Sequence, residues 1–459
     1  MDDHTLEAGW AALRRSIISY QGQPVGTVAA CDTTTEALNY DQCFTRDFAI
    51  SALAFLLKGE TDIVRCFLKT TLALQSREKQ LSCFNPGMGV MPASFKVVQT
   101  DDGEEHLDAD FGEQAIARVA PIDAVFWWLI VLRVYTKATQ DTAFAGSEAI
   151  QEGIRIILDL CFTNHFNMFP TLLVPDGSFM VDRRMGVYGY PLDIQVLFFA
   201  ALRSAKELLQ PTPENKDYTQ IINQRLSRLA YHVRQYYWLD LPQLRQIYRY
   251  NSEEFGYTAV NQFNIQAEAI PDWVESWVTR DGGYFVGNVG PGRMDFRWFT
   301  QGNLLSVVVA LAEESQSDAI LNQLEGRWLD LVNEMPLKVC FPAMEGRDWE
   351  LVTGHDPKNV PWSYHNAGSW PFMLVWLAAA AIKAERSEVA YRAMAIAAER
   401  LEPDHWPEYY DGRNGRLIGK EARLFQTWTI AGFLAAHQLL LNPEKLDWLS
   451  FEGTIAAAC

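Results

Sequence analysis

Two acidic residues stand in surroundings that can turn a carboxyl into a catalyst. Asp182 lies in MVDRRMGVYGYPLDIQ (Met180 to Gln195), where an acid between Val181 and two arginines leads into a Gly- and Tyr-rich turn. Glu408 lies in HWPEYYDGRNGRLIG, with Trp406, Tyr409 and Tyr410 around it. A carboxyl walled by aromatic rings is desolvated and its pKa rises, while neighbouring arginines lower it. Two such groups supply what cleavage of a glycosidic bond needs: one protonates the leaving oxygen, the other activates water or attacks carbon. Asp47, Asp123, Asp193 and Asp295 are rival candidates. For Asp193 a second reading competes, because it follows Pro191 at a helix start, where a carboxylate favours the helix dipole.

Other chemistries find less support. There is no GxSxG elbow, no Walker loop and no HExxH pair. The seven cysteines are scattered without a CxxC pair, which reads as reduced thiols in a cytosolic protein. No metal or cofactor is expected. A net charge of −18 argues against nucleic acid and anionic membranes as partners. No apolar run is long enough to span a bilayer, and the N-terminus lacks an export signal, so the expected location is cytoplasmic. Homo-oligomerisation is left open. Aromatic residues make up 12% of the chain. Most suit the core, but those beside Gly, Pro and carboxylates can stack on a sugar face.

The elements that position these residues are helical. Apolar residues recur at helical spacing over twelve segments: 5–20, 45–58, 60–78, 121–138, 145–162, 191–209, 213–237, 299–315, 317–333, 367–384, 386–400 and 421–441. Alternate members, such as AVFWWLIVL and VLFFAAL, are apolar all round, whereas their partners carry charge on one face. Buried and amphipathic helices in strict alternation predict an all-α fold, a closed (α/α)6 ring of six inner and six outer helices. That makes residues 1–459 a single domain despite the length.

A polar, aromatic junction precedes each inner helix. NYDQCFTRDF carries Arg46 and Asp47, DFGEQAIARVAPID carries Asp110 and Asp123, and the Asp182 stretch precedes the third. GNVGPGRMDFRWF carries Asn288, Arg293, Asp295 and Arg297; DPKNVPWSYHNAGSWP carries Asp356, Trp362, His365 and Trp370; GKEARLFQTW carries Arg423. Parallel inner helices would bring all six junctions to one end, where they form a pocket.

VDRRMGVYGYPLDIQ, DFGEQAIARVAPID, PASFKV, MDFRWFTQGNL, MPLKVCFPAMEG, DPKNVPWSYHNAGSWP and WPEYYDGRNGRLIGKEARLFQTWTIAGFL resemble the alkaline/neutral invertases of cyanobacteria and plant cytosol. The likeness is colinear from about Asn39 to Pro443. It implies an (α/α)6 barrel that hydrolyses sucrose to glucose and fructose without metal or cofactor. By position, Asp182 resembles the family's general acid and Glu408 its general base. Asp193 departs from the Glu that plant members often carry, and the Met344–Gly346 loop varies. Expected hydroxyl ligands are Arg46, Asp47, Asp123, Gln195, His365 and Arg423, with Trp127 and Trp370 as stacking walls. Trp127 sits inside an apolar run, where core packing is the competing role; His365 competes as a loop brace. A glucoamylase-like glycosidase and a non-catalytic sugar-binding protein are the alternatives.

Overall fold

The computed structural model describes residues 3–455 apart from 35–38, 80–86, 116–117, 165, 253–264, 266, 291–292 and 454. Cys83 and Cys459 lie outside these residues, as does the side chain of Arg293. Twelve of the helices, in chain order, are α1 (Asp3–Arg15), α2 (Thr45–Lys58), α3 (Asp62–Leu74), α4 (Asp123–Thr139), α5 (Glu148–Cys161), α6 (Leu192–Leu208), α7 (Lys216–Tyr236), α8 (Thr300–Val308), α9 (Glu314–Gly326), α10 (Leu374–Lys383), α11 (Ser387–Ala398) and α12 (Thr427–Leu441).

The even-numbered helices hold the core because their sequences offer no polar face. α4 is buried at every position from Asp123 to Tyr135, and α6 from Leu192 to Ala205. Each packs on the next: α2 on α4, α4 on α6, α6 on α8, α8 on α10, α10 on α12, and α12 back on α2. Gly432 of α12 permits one of the tightest approaches, since a Cβ there would stand 2.3 Å from the Phe372 carbonyl oxygen.

The odd-numbered helices are amphipathic. On α7 the buried apolar residues Ile222, Leu226, Leu229, Ala230 and Val233 follow helical spacing, leaving the opposite face to water. α1 packs on α12, α3 on α2 and α4, α7 on α6, α9 on α8, and α11 on α10 and α12. α5 is tied to α6 by Gln151 Nε2, which donates to the Leu208 carbonyl at 2.9 Å. One continuous apolar core results.

Strands were not expected, and four small antiparallel sheets are present among the described residues. Residues 94–99 and 105–110 form a hairpin joined by 43–44, and residues 283–290 pair with 293–299 in a four-stranded sheet. Both lie in the junctions before inner helices, where side chains such as Phe95, Phe285 and Trp298 join the core. In RMDFRW, apolar and polar residues alternate as in a strand, while Phe296 to Phe299 are all buried.

Away from these junctions, basic side chains of three inner helices clamp the chain after α12. Arg133 Nη2 donates to the Ser450 carbonyl, Arg203 Nη2 to Glu452 and Lys383 Nζ to Phe451, at 2.9, 2.7 and 3.3 Å. The Phe451 ring lies beneath the Arg133 and Arg203 guanidinium groups, 3.8 and 4.5 Å away.

Candidate active site

Five of the six junctions meet at a cavity of about 690 Å³. Its wall includes Arg46, Asp47, Asp182, His365, Trp370, Glu408 and Arg423, all expected there, and Tyr40, Arg183, Lys358 and Trp428, which were not assigned roles. Among the described residues, the junction before α8 does not line it. That segment braces the Asp182 loop from behind: Asn288 accepts from Tyr190 N–H and donates to the Tyr188 carbonyl, and Arg297 Nη2 donates to Met185.

Asp182 follows the buried pair Met180 and Val181, and its side chain is 42% exposed to the cavity. The turn after it is held by Asp176, whose carboxylate accepts from the backbone N–H groups of Met185 and Gly186. Arg183 turns away to a two-oxygen contact with Asp356 at 2.6 and 2.7 Å. Withdrawal from bulk water pushes the Asp182 carboxyl up, against the lowering influence of Arg46, Arg183 and Lys358, and the Glu408 charge adds to the rise. A raised carboxyl is the state a proton donor needs.

Glu408 is deeper, with 3% of its side chain exposed. Tyr40 Oη donates to its Oε1 at 2.8 Å. Its Oε2 faces Lys358 Nζ at 3.6 Å and the Arg423 backbone N–H at 3.5 Å. These partners are complementary to a carboxylate, the form that activates water. The strand-like pairing of Glu408 N–H with the Arg423 carbonyl, at 2.8 Å, fixes the backbone. Gly419 then lets the returning chain pass over Tyr409, where a Cβ would stand 2.3 Å from the ring.

The His365 loop and the segments around Glu408 are conformationally strained. Trp362, Tyr364, Ala367, His405, Trp406 and Phe425 all have positive φ, between 48° and 70°. Such values are costly for bulky side chains and persist where surrounding structure imposes them. Here stacked rings do so. His365 stacks on Trp370 and Trp370 on Tyr409, with centroids 5.3 and 5.4 Å apart, joining the wall beside Asp182 to the neighbour of Glu408.

Three expected ligands lie outside the cavity wall. Asp123 is fully buried beneath it and receives Arg46 through two hydrogen bonds, at 2.5 and 3.1 Å. Gln195 is the second. Its amide bonds the Leu172 backbone both ways at 3.0 Å, tying α6 to a loop, and the residue is fully buried away from the cavity wall. Trp127 is the third: it stacks on Trp376 at 5.5 Å among the inner helices, in the core role its apolar run allowed. Asp193 and Asp295 also lie elsewhere. Asp193 is buried against Gly302 at the start of α6, and Asp295 pairs with Arg297. Asp47 does face the cavity, where burial raises its pKa to about 7 against the pull of Arg46, with the Glu408, Asp182 and Asp123 charges adding to the rise.

Residues 9–443 match a family described as alkaline and neutral invertase. The chain belongs to that family. It is 54% identical over 454 residues to a probable alkaline/neutral invertase D of Arabidopsis thaliana, covering 98% of this chain and 85% of that protein. It is equally identical to cytosolic invertase 1 of Oryza sativa subsp. japonica, over 96% and 79% of the two chains. Other family members, at 52–53% identity, are named as chloroplastic or mitochondrial. Among solved structures, a bacterial glucoamylase complexed with acarbose superposes with a TM-score of 0.56 at 12% identity, over 96% of this chain and 56% of that one. A rhamnosidase from Klebsiella oxytoca gives the same score at 13% identity, covering 95% and 64%. At such identities the shared feature is the fold, the toroid of helices common to these glycosidases.

Proposed function

We infer that the protein hydrolyses sucrose to glucose and fructose within a single-domain (α/α)6 barrel of six inner and six outer helices. The observation that carries the reading is the pairing, in one cavity of an invertase-family chain, of a raised carboxyl and a hydrogen-bonded carboxylate. Asp182 protonates the bridging oxygen, and fructose leaves. Glu408 takes a proton from a water that attacks the anomeric carbon from the opposite face, which inverts the configuration. Arg46, Asp47 and Arg423 bind sugar hydroxyls, and the rings of Trp370 and Trp428 bound the glucosyl site. Asp123 holds Arg46 in place. The reaction runs on these side chains, without metal or cofactor.

A cytoplasmic location accords with the rice relative named as cytosolic, and no described helix is long and apolar enough to cross a membrane. The test of function is release of glucose from sucrose, maltose and trehalose by purified protein. Activity on sucrose alone, lost in Asp182→Asn and Glu408→Gln, is expected, since acid and base each contribute about 10²–10⁴-fold. Preference for maltose would favour a glucoamylase-like activity. Substrate binding without turnover would make the protein a sugar-binding module.

A further inference from the structure

Asp182 and His365 present two buried polar atoms that face one another without bonding. His365 Nδ1 stands 3.6 Å from Asp182 Oδ1, beyond hydrogen-bond length. Neither atom has a hydrogen-bond partner. Leaving buried polar atoms unpaired is costly. Hydrogen bonds at unliganded catalytic sites are often long and tighten once substrate is bound.

The histidine is the fixed member of the pair. Its ring is stacked on Trp370 and packed against Tyr364, with centroids 5.3 and 4.2 Å away. Its backbone N–H is held by Asn359 Oδ1 at 3.0 Å. Only 2% of its side chain is exposed, against 42% for Asp182, so the movement that closes the gap belongs to the aspartate.

We propose that His365 is a positioning residue for the acid: its Nδ1–H closes onto Asp182 Oδ1 when a glucosyl ring fills the cavity, leaving Oδ2 to carry the proton toward the bridging oxygen. This rests on the reading of Asp182 as general acid. Burial, with Arg183, Lys358 and Arg46 nearby, holds the imidazole pKa well below its ordinary value, so the ring stays neutral and donates from one nitrogen only. The charged groups facing Asp182 are Arg46, Arg183, Lys358 and Glu408. During bond cleavage one proton passes from Oδ2 to the glycosidic oxygen, the C–O bond breaks and fructose departs neutral. His365 keeps its own proton throughout. The Asp182 carboxyl becomes a carboxylate as this happens, so the bond from Nδ1–H strengthens in the transition state and lowers the barrier rather than KM.

The test uses three variants of the full chain with sucrose. Asn at 365 places an amide nitrogen where Nδ1 stands, Gln places one near Nε2, and Leu supplies neither. We expect His365→Asn to keep kcat within about threefold, and His365→Gln and His365→Leu to lose about 10–100-fold with KM within about twofold. The basic limb of the kcat profile, which reports the substrate complex, should move to higher pH in His365→Leu, because a donor to the carboxylate is gone. A merely structural role would leave that limb in place. Equal kcat in all three variants, or an unmoved limb in folded His365→Leu, overturns the proposal. Should the leucine variant fail to fold, the Asn–Gln comparison decides alone. Asp182→Asn is the control: appreciable activity there removes the acid role itself, a separate failure from that of His365.

Discussion

Tyr40 Oη and Glu408 Oε1 are 2.8 Å apart, although the two residues are 368 positions apart in the chain. The Arg423 guanidinium covers the Tyr40 ring at 4.9 Å, and Glu408 in turn raises the phenol pKa well above its ordinary value, after burial itself. The tyrosine is therefore a donor, never a base, and on the proposed mechanism it orients the carboxylate that meets water. A hydrogen bond to a charged group contributes ~1.5–3 kcal/mol. Tyr40→Phe should lower kcat about 10–100-fold with little change in KM or thermal stability. Steady-state kinetics beside a melting curve check this, and unchanged kcat would remove the orienting role.

The Arg46–Asp123 pair is the second target. The side chains are 13% and 0% exposed, so removing the aspartate leaves a guanidinium with little access to water. Asp123→Ala should cost about 3–5 kcal/mol in a denaturant titration. The double variant Arg46→Met, Asp123→Leu should regain much of that stability but remain inactive, because Arg46 lines the cavity. A double variant with near wild-type turnover would show that Arg46 binds no substrate.

Asp193 makes stability depend on pH. Burial raises its pKa to about 7, opposed by the Gly302 N–H and Gln301, with the Asp123 charge adding to the rise. The native state therefore holds this proton more tightly than the unfolded chain does. Its contribution is complete below the unfolded value, near 4, and is lost as pH rises through about 7. Melting temperature measured from pH 4 to 8 should fall less steeply in Asp193→Asn than in the wild type. Asp47, raised for the same reason, leaves part of the slope. An unchanged slope would mean that Asp193 is ionised in the folded protein throughout.

Phe451 tests the clamp on the chain after α12. Its ring is 3% exposed between two guanidinium groups. Phe451→Ala should cost about 3–5 kcal/mol through the cavity left behind. Turnover per folded molecule should not change, since Phe451 does not line the cavity that holds Asp182 and Glu408. A selective loss of kcat with normal melting would contradict this division.

The helices were legible because their signal is local. AVFWWLIVL offers water no polar face, and α4 is buried along that whole run. The hairpins were not, because RMDFRWF runs straight into the apolar start of α8 and its alternation is short. In the site, Asp182 and Glu408 stood out as acids among aromatics in one short window each. Tyr40 and Lys358 carried no such mark: their types are common in loops, and what singles them out is a partner far along the chain. Gln195 and Trp127 misled for the converse reason. Each sits near the start of an inner helix that follows a pocket junction, but helical rotation turned Gln195 to the Leu172 backbone and Trp127 toward Trp376.

The most direct measurement of the central claim is the configuration of the first glucose released. If Asp182 and Glu408 act as acid and base across a water, the carboxyls lie about 6.5–9.5 Å apart in the working complex, and each turnover inverts the anomeric centre. Proton NMR in the first minutes after mixing with sucrose, before mutarotation, should then show β-glucose accumulating ahead of α-glucose. Initial α-glucose from cleavage at the glucosyl carbon would contradict the account, requiring a covalent glucosyl intermediate and making Glu408 a nucleophile rather than a base.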